Sequence, residues 1–124
     1  FGLSYTTFDY SNLKLSASKM KVAEKITVSF QLKNTGNVVG EEVVQLYLHD
    51  KFATVVRPVK ELKDFMKIKL QPGETKMVTF IIDKEKLSFY NQNIEWIAEP
   101  GEFELMIGTS SADIRLNNVF ELVN

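Results

Sequence analysis

The chain has 124 residues, of which 44% are hydrophobic and 25% charged, and its net charge is −1 at pH 7. This balance is typical of a soluble globular domain and favours neither nucleic acid nor a membrane as a partner. The chain contains no cysteine, which excludes a disulfide framework and thiolate chemistry. At this length we expect one domain, residues 1–124, whose core needs no metal or disulfide for support.

The first residues are unusual because they are aromatic and apolar. The chain begins at Phe1 without an initiator Met, and free chain ends normally fray into water. We therefore interpret residues 1–8 as a junction with a preceding domain of a longer chain. On this interpretation Leu3, Tyr5 and Phe8 are partly exposed, since some of their packing partners belong to that preceding domain.

Apolar and polar residues alternate through most of the chain, as they do in half-buried strands. Seven strands are predicted, at about residues 8–15, 26–32, 43–48, 62–70, 76–82, 103–107 and 114–122. The apolar parity changes near Ser11 and Asn12 and is broken again at Asp64, so we expect a kink at the first point and a bulge at the second.

The connections between these strands differ in length and chemistry. Pro72-Gly73 suits a type II turn, Pro100-Gly101 repeats that chemistry, and Gly36 permits a positive φ in the turn at residues 34–37. Residues 50–61 form a long connection, and Lys84–Leu87 fits a single helical turn. About seven strands at such intervals predict an all-β fold, an antiparallel β-sandwich that is fibronectin type III-like or immunoglobulin-like. A barrel is the alternative, but the unequal loops favour the sandwich.

Candidate catalytic and metal-binding groups are few. Most of the 16 carboxylates lie beside lysines on outward strand positions, which indicates solvated surface charge. His49 is the only histidine, so no second imidazole is available for a metal site, and no Ser-His-Asp set or phosphate-binding loop is found. The sequence therefore predicts no catalytic residue, no metal site and no cofactor.

Charge and aromatic residues suggest surfaces instead. Basic residues are in excess from Arg57 to Lys76 and acidic residues from Glu99 onward, which fits either solvated strand faces or a polar docking surface. Tyr47 and Phe65 fall on outward positions, so docking, chance exposure and a sugar-stacking platform all stay open. Trp96 is interpreted as a core ring, with a sugar platform as the alternative.

A set of short strings in a fixed order gives the chain a family resemblance. The strings are GLSYTTF (2–8), NTG (34–36), VVQLY (43–47), RPVKELKDF (57–65), LQPGET (70–75), LSFY (87–90) and EPGEF (99–103). Together they resemble the fibronectin type III-like domain found at the C-terminus of many glycoside hydrolase family 3 enzymes, mainly β-glucosidases and β-xylosidases. One departure is Asp64, where such domains often carry glycine.

The resemblance implies that catalysis belongs to other domains of the parent enzyme. In that family a barrel domain supplies an aspartate nucleophile in a Ser/Thr-Asp-Trp setting, and this chain contains neither string. We therefore expect no turnover by this chain and retaining hydrolysis of terminal β-linked sugars by the parent. The resemblance points to a bacterial parent that is cytoplasmic or exported, and leaves localisation and sugar specificity undetermined.

Two functions follow as hypotheses. The first is a non-catalytic accessory domain that packs on the catalytic domains of the same chain and stabilises them. Its expected interdomain contacts are Tyr5, Tyr47, Arg57, Pro58, Lys60 and Phe65. The conformationally restricted Arg-Pro pair in the long connection motivates this set. The alternative is a binding module that targets the enzyme to a polysaccharide or another polymer.

Overall fold

The alternating segments form strands in two sheets that pack face to face. The computed structural model describes residues 6–51, 60–90 and 96–123, and for Phe89, Tyr90 and Trp96 it describes the backbone. In chain order the elements are β1 (Phe8–Leu15), β2 (Lys19–Met20), β3 (Ile26–Asn34), β4 (Gly40–Asp50), β5 (Glu61–Leu70), β6 (Thr75–Ile82), α1 (Lys84–Leu87), β7 (Phe89–Tyr90), β8 (Trp96–Ile97), β9 (Gly101–Ser110) and β10 (Asp113–Leu122).

The two main sheets contain three and five strands. The three-stranded sheet has the order β1-β3-β6, and the five-stranded sheet has the order β2-β10-β9-β4-β5. All pairings are antiparallel except that of the two-residue β2 with β10, which is parallel. β7 and β8 pair separately. The predicted antiparallel sandwich is confirmed. The additional strands are β2, β7 and β8, each of two residues and too short for an alternating pattern to reveal.

The core lies between the sheets and consists of the inward residues of both. β3 contributes its entire inward set from Ile26 to Leu32, and β4 contributes Val44, Leu46 and Leu48. Two pairs of rings stack in this core, Tyr10 on Phe30 and Phe103 on Phe120, with centroids 5.6 and 5.5 Å apart. The period-two pattern therefore predicted the core correctly, because in a strand each second side chain faces the same side.

Both predicted strand irregularities are present. In β1 the pairing with β3 shifts between Ser11 and Lys14, and Asn12 lies there in the left-handed region with φ 57°. In β5 the partner of Leu46 is Asp64 and the partner of Tyr47 is Leu62, so one extra residue, Lys63, is accommodated in β5. An extra residue of this kind keeps apolar side chains on the inward face of the strand both before and after the point where the alternation changes parity.

The glycines of two turns have different roles. Gly73 has φ +79°, and the Glu74 amide donates to the Gln71 carbonyl over 3.0 Å, which confirms the predicted type II turn. Gly36, in contrast, does not have a positive φ, so that expectation was wrong. A Cβ at Gly36 would lie 2.0 Å from the Thr6 Oγ1 atom, and the close approach of Thr6 is what requires glycine there.

The predicted helical turn is also confirmed as α1. Asp83 caps it, since its carboxylate accepts a hydrogen bond from the Lys86 amide. Within residues 6–51, 60–90 and 96–123, no helix is long and apolar enough to span a membrane.

Candidate interdomain surface

Leu62 and Phe65 form an exposed apolar patch on the outer face of the five-stranded sheet. We call these two side chains the outer patch; they are 50% and 59% exposed. They lie three positions apart, and in a regular strand such residues face opposite sides of the sheet. The bulge at Lys63 corrects this, because Leu62 pairs with Tyr47 and Phe65 pairs with Gln45, two residues on one face of β4.

The outer patch lies beside a second set of apolar side chains that are already covered. Tyr47 is 8% exposed and Met106, its partner on β9, is also buried, although both lie outside the core cluster between the sheets. The Tyr47 hydroxyl donates to the Gln45 side chain. The expectation that Tyr47 is an exposed ring is therefore wrong, and a ring with 8% of its surface accessible cannot stack a sugar.

β5 is the edge strand of its sheet, and its charges are mostly engaged within the domain. Asp64 lies 3.6 Å from the Lys86 Nζ atom of α1, and Lys63 lies 3.9 Å from the Glu61 carboxylate. These are surface ion pairs, which contribute little to stability. The charged residues next to the outer patch in β5 are therefore paired with opposite charges of the same domain.

The structure places only part of the predicted contact set. Phe65 is the most exposed aromatic side chain among the described residues. Lys60 is half-buried, and its ammonium group donates to the Ser111 carbonyl oxygen over 2.5 Å. Tyr5, Arg57 and Pro58 lie outside the described residues, as does Leu3. Leu62 was missed as a surface residue, because the sequence does not show that the bulge turns it outward.

A second exposed apolar pair lies on the other sheet. Met77 and Ile81 of β6 are exposed, and Met77 reaches 64%. They pair with Gln31 and Thr27, so their neighbours on this face are polar. The outer patch differs, because it lies beside the buried Tyr47 on the neighbouring strand, whereas the β3 residues beside Met77 and Ile81 on this face are polar.

A polar cluster joins the two sheets at one end of the sandwich. The Tyr10 hydroxyl donates to the Glu42 carboxylate over 2.8 Å, and the Arg115 guanidinium lies over the Tyr10 ring, 5.4 Å from its centroid. Arg115 also donates two hydrogen bonds to Asp113, which accepts a third from the Thr109 hydroxyl at 2.6 Å. We call these five residues the polar brace, because they connect β1 with β4, β9 and β10.

The environment of the polar brace shifts the pKa values of four of its residues, including that of Arg115, which its hydrogen bonds to Asp113 raise. Burial raises the pKa of Glu42 above its ordinary 4.5, although the Tyr10 hydrogen bond and the Arg115 charge oppose the shift. The hydrogen bonds from Arg115 and Thr109 lower the pKa of Asp113 below its ordinary 3.8. Burial, followed by the hydrogen bond to Glu42, raises the pKa of the Tyr10 hydroxyl.

Glu42 corrects the expectation that the carboxylates are solvated surface charges. It occupies the inward parity of β4, two residues before the buried Val44, and this position was a signal in the sequence. A pair of carboxyls with separated pKa values resembles an acid–base pair. Here, however, each carboxyl is bound to side chains of the brace, which indicates a structural connection rather than a reactive pair.

An open cleft of about 480 Å³ adjoins the polar brace. It is lined by Thr6, Thr7, Phe8, Glu41, Glu42, Thr109, Asp113 and Arg115. Phe8 is half-buried and packs on the edge of the core, in line with its expected partial exposure. In the part of the chain that the structure describes, no group of three or more His, Cys, Asp or Glu side chains is arranged to hold a metal ion.

Comparison with known proteins identifies the fold family. The family model of the fibronectin type III-like domain matches residues 42–111, which include most of β4 and all of β5, β6 and β9.

The chain belongs to the fibronectin type III-like domain family.

Proteins similar to this fibronectin type III-like domain are much longer than it is. The chain is 48% identical to β-glucosidase BoGH3A of Bacteroides ovatus, where the match covers 99% of this chain and 17% of that protein. It is 50% identical to a putative β-xylosidase of Formosa agariphila, with coverage of 93% and 15%. The matched regions are the C-terminal parts of such enzymes. The domain thus spans about one-sixth of the relatives that it matches.

Solved structures agree with this assignment. A β-glucosidase from Listeria innocua, solved in complex with gluconolactone, superposes with a TM-score of 0.91 at 40% identity. The superposition covers 100% of this chain and 17% of that one. The family resemblance read from the ordered strings is therefore confirmed, and the fibronectin type III-like domain is a small unit within its relatives.

Proposed function

We propose that this fibronectin type III-like domain is a non-catalytic accessory domain of a β-glucosidase or β-xylosidase of glycoside hydrolase family 3. It packs on the catalytic part of the same chain through the outer patch and stabilises that part. The parent enzyme hydrolyses terminal β-linked sugars with residues that this chain lacks. The relatives support the proposal, because in each of them the matched region is a small part of a β-glucosidase or β-xylosidase.

The observation that carries the proposal is the alignment of Leu62 with Phe65. Two large apolar side chains, each half exposed or more, lie on one face of an edge strand. Covering their remaining surface would contribute about 2–3 kcal/mol in total. The occupant that fits is the rest of the parent chain, since the relatives carry some five-sixths of their length outside this domain.

The predicted contacts outside the described residues belong to the same proposal. Arg57 and Pro58 come shortly before β5, and Tyr5 comes shortly before β1. An arginine is suited to such a contact because its planar guanidinium binds a carboxylate or carbonyl groups of a partner. Replacing Arg57 with Ala in the parent is expected to lower its thermal stability; unchanged stability and activity would remove Arg57 from the interface.

The docking test compares two matched pairs of substitutions in the parent enzyme. Leu62→Ser with Phe65→Ser is expected to lower the melting temperature of the catalytic part and to accelerate its loss of activity on heating. Met77→Ser with Ile81→Ser removes a similar exposed apolar area from the other sheet and should leave both quantities unchanged. Equal effects of the two pairs, or no effect of the first, would contradict docking through the outer patch.

The absence of catalysis is tested with the isolated domain. Incubation with aryl β-glucosides and aryl β-xylosides is expected to release no aglycone above the buffer rate, while the parent enzyme does so under the same conditions. Reproducible turnover that is retained after repurification, and lost in Glu42→Gln or Asp113→Asn variants, would show that the polar brace is reactive and would overturn the proposal.

A further inference from the structure

The start of β1 is held against the turn between β3 and β4 by a compact set of hydrogen bonds. The Thr35 amide donates to the Thr7 carbonyl over 2.8 Å, and the Thr7 and Thr35 hydroxyls lie 2.6 Å apart. The Thr6 hydroxyl donates to the Asn34 Oδ1 atom over 2.5 Å. We call Thr6, Thr7, Asn34, Thr35 and Gly36 the entry clasp.

Asn34 connects the entry clasp to the body of the sandwich. Its side chain is completely buried, and its Oδ1 atom also accepts the Gly36 amide at 2.9 Å. Its Nδ2 atom donates to the Val38 carbonyl at 2.8 Å and to the Leu70 carbonyl at 3.0 Å. Both oxygen lone pairs and both amide hydrogens thus have partners, which fixes the orientation of the side chain.

Gly36 makes the close approach of the two segments feasible. A Cβ at this position would lie 2.0 Å from Thr6 Oγ1 and 2.9 Å from Thr6 Cα. The second contact is with backbone, so rotating the threonine side chain would not relieve it. Any larger residue at Gly36 therefore has to displace Thr6 from the turn.

We propose that the entry clasp sets the direction in which the preceding part of a parent chain joins this domain. Five residues of two segments, held by both backbone and side-chain hydrogen bonds, leave little freedom at Thr6 and Thr7. A domain joined at this point is oriented by the sandwich rather than tethered by a flexible linker. This consequence rests on the proposed function, because it requires a catalytic part that precedes the domain.

The clasp itself is tested in the 124-residue chain by amide hydrogen exchange. In the wild-type chain we expect the Thr35 amide to exchange about tenfold more slowly than in Gly36→Ala, because the substitution breaks the hydrogen bond that protects this amide; a tenfold change corresponds to about 1.4 kcal/mol. The Phe30 amide in β3, the strand that precedes this turn, is expected to exchange equally in both.

A second variant keeps the backbone geometry. Thr6→Val with Thr35→Val removes the hydroxyl bonds without adding bulk and should weaken Thr35 protection in part. Thr27→Val in β3, away from the clasp, should not. If Gly36→Ala leaves Thr35 protection unchanged, or lowers Phe30 protection equally, the clasp as a local device is refuted.

The orienting role is tested in the parent enzyme by distance measurement between spin labels. One label replaces Val22, an exposed residue after β2, and the other lies on the catalytic part. A narrow distance distribution that broadens in Gly36→Ala supports the inference; a distribution that keeps its width in Gly36→Ala overturns it. Leu62→Ser with Phe65→Ser in the same assay reports on docking separately, so failure of the outer patch and failure of the clasp give different results.

Discussion

Asn34 and Glu42 show how two polar residues on inward strand positions are accommodated in different ways. Asn34 is completely buried and its amide has four partners, so it costs little to bury and holds three segments together. Glu42 is half-buried with one hydrogen bond from Tyr10, so part of its desolvation is left uncompensated and its pKa rises. The number of partners, rather than polarity alone, decides whether each residue stabilises the fold.

Replacing Asn34 with Ala is expected to destabilise the domain by about 3 kcal/mol, because carbonyl and amide groups that now have partners would be left unpaired. Chemical denaturation measures the change. Asn117→Ala on the exposed face of β10 is the control and should cost no more than about 0.5 kcal/mol. Similar costs for the two variants would show that the Asn34 network contributes nothing.

The pKa shifts of Glu42 and Asp113 predict opposite pH dependences. A raised pKa means that the contribution of Glu42 to stability is complete below pH 4.5 and is lost as the pH rises through its folded-state pKa. The stability of Glu42→Gln relative to wild type should therefore increase from pH 4 to pH 7. A lowered pKa means that the contribution of Asp113 is present above pH 3.8 and is lost on acidification.

Denaturation at a series of pH values checks both signs. The penalty of Asp113→Asn should be present at pH 7 and should shrink as the pH falls below 3.8, which is opposite to the trend for Glu42→Gln. Parallel trends in the two variants would mean that burial of Glu42 does not outweigh the Tyr10 hydrogen bond and the Arg115 charge.

At the scale of elements, β5 illustrates what alternation can and cannot predict. The parity break at Asp64 predicted a bulge, and the pairing of Leu46 with Asp64 and of Tyr47 with Leu62 confirms it. The same pattern did not predict that Leu62 turns outward beside Phe65. Alternation indicates which side chains share a face of a regular strand, but it does not indicate which residue of a bulge is the extra one. Nor did it predict that Tyr47 is covered, since burial on an outer face depends on neighbouring strands.

The polar contacts of the site were still harder to predict from the sequence. Inward parity marks Glu42 and Asn34 as unusual, but their partners Tyr10, Arg115 and Thr6 lie far away along the chain. Gly36 was assigned a turn conformation on local grounds, whereas a tertiary contact with Thr6 requires it. Local patterns thus predicted the strands and the core, and long-range pairing decided the rest.

Deleting Lys63 is expected to be tolerated, at a cost of about 1 kcal/mol or less, because Leu62 and Asp64 then pair regularly with Tyr47 and Leu46. The outer patch would keep its face. Deleting Lys67 from the regular part of β5 shifts every preceding residue to the opposite face and should cost about 3 kcal/mol or more. Thermal unfolding compares the two deletions; equal losses would show that Lys63 is not the extra residue of a bulge.

At the scale of the whole molecule, the sandwich presents its functional features on its outside. Its core is closed and its polar brace is internally paired. The outer patch and the entry clasp are the two features that we propose to act on the rest of a parent chain. The chain matches about one-sixth of its relatives, which are named as β-glucosidases and β-xylosidases. These features together favour a role in supporting and orienting a larger enzyme over a role in its chemistry.

Cysteine labelling of the outer patch tests this account most directly, because the chain itself contains no cysteine. Phe65→Cys is expected to react rapidly in the isolated domain and at least about tenfold more slowly in the parent enzyme, with the modified peptide quantified by mass spectrometry. Met77→Cys, exposed on the other sheet, should react at similar rates in both. Equal rates for Phe65→Cys in the domain and in the parent would contradict docking through the outer patch.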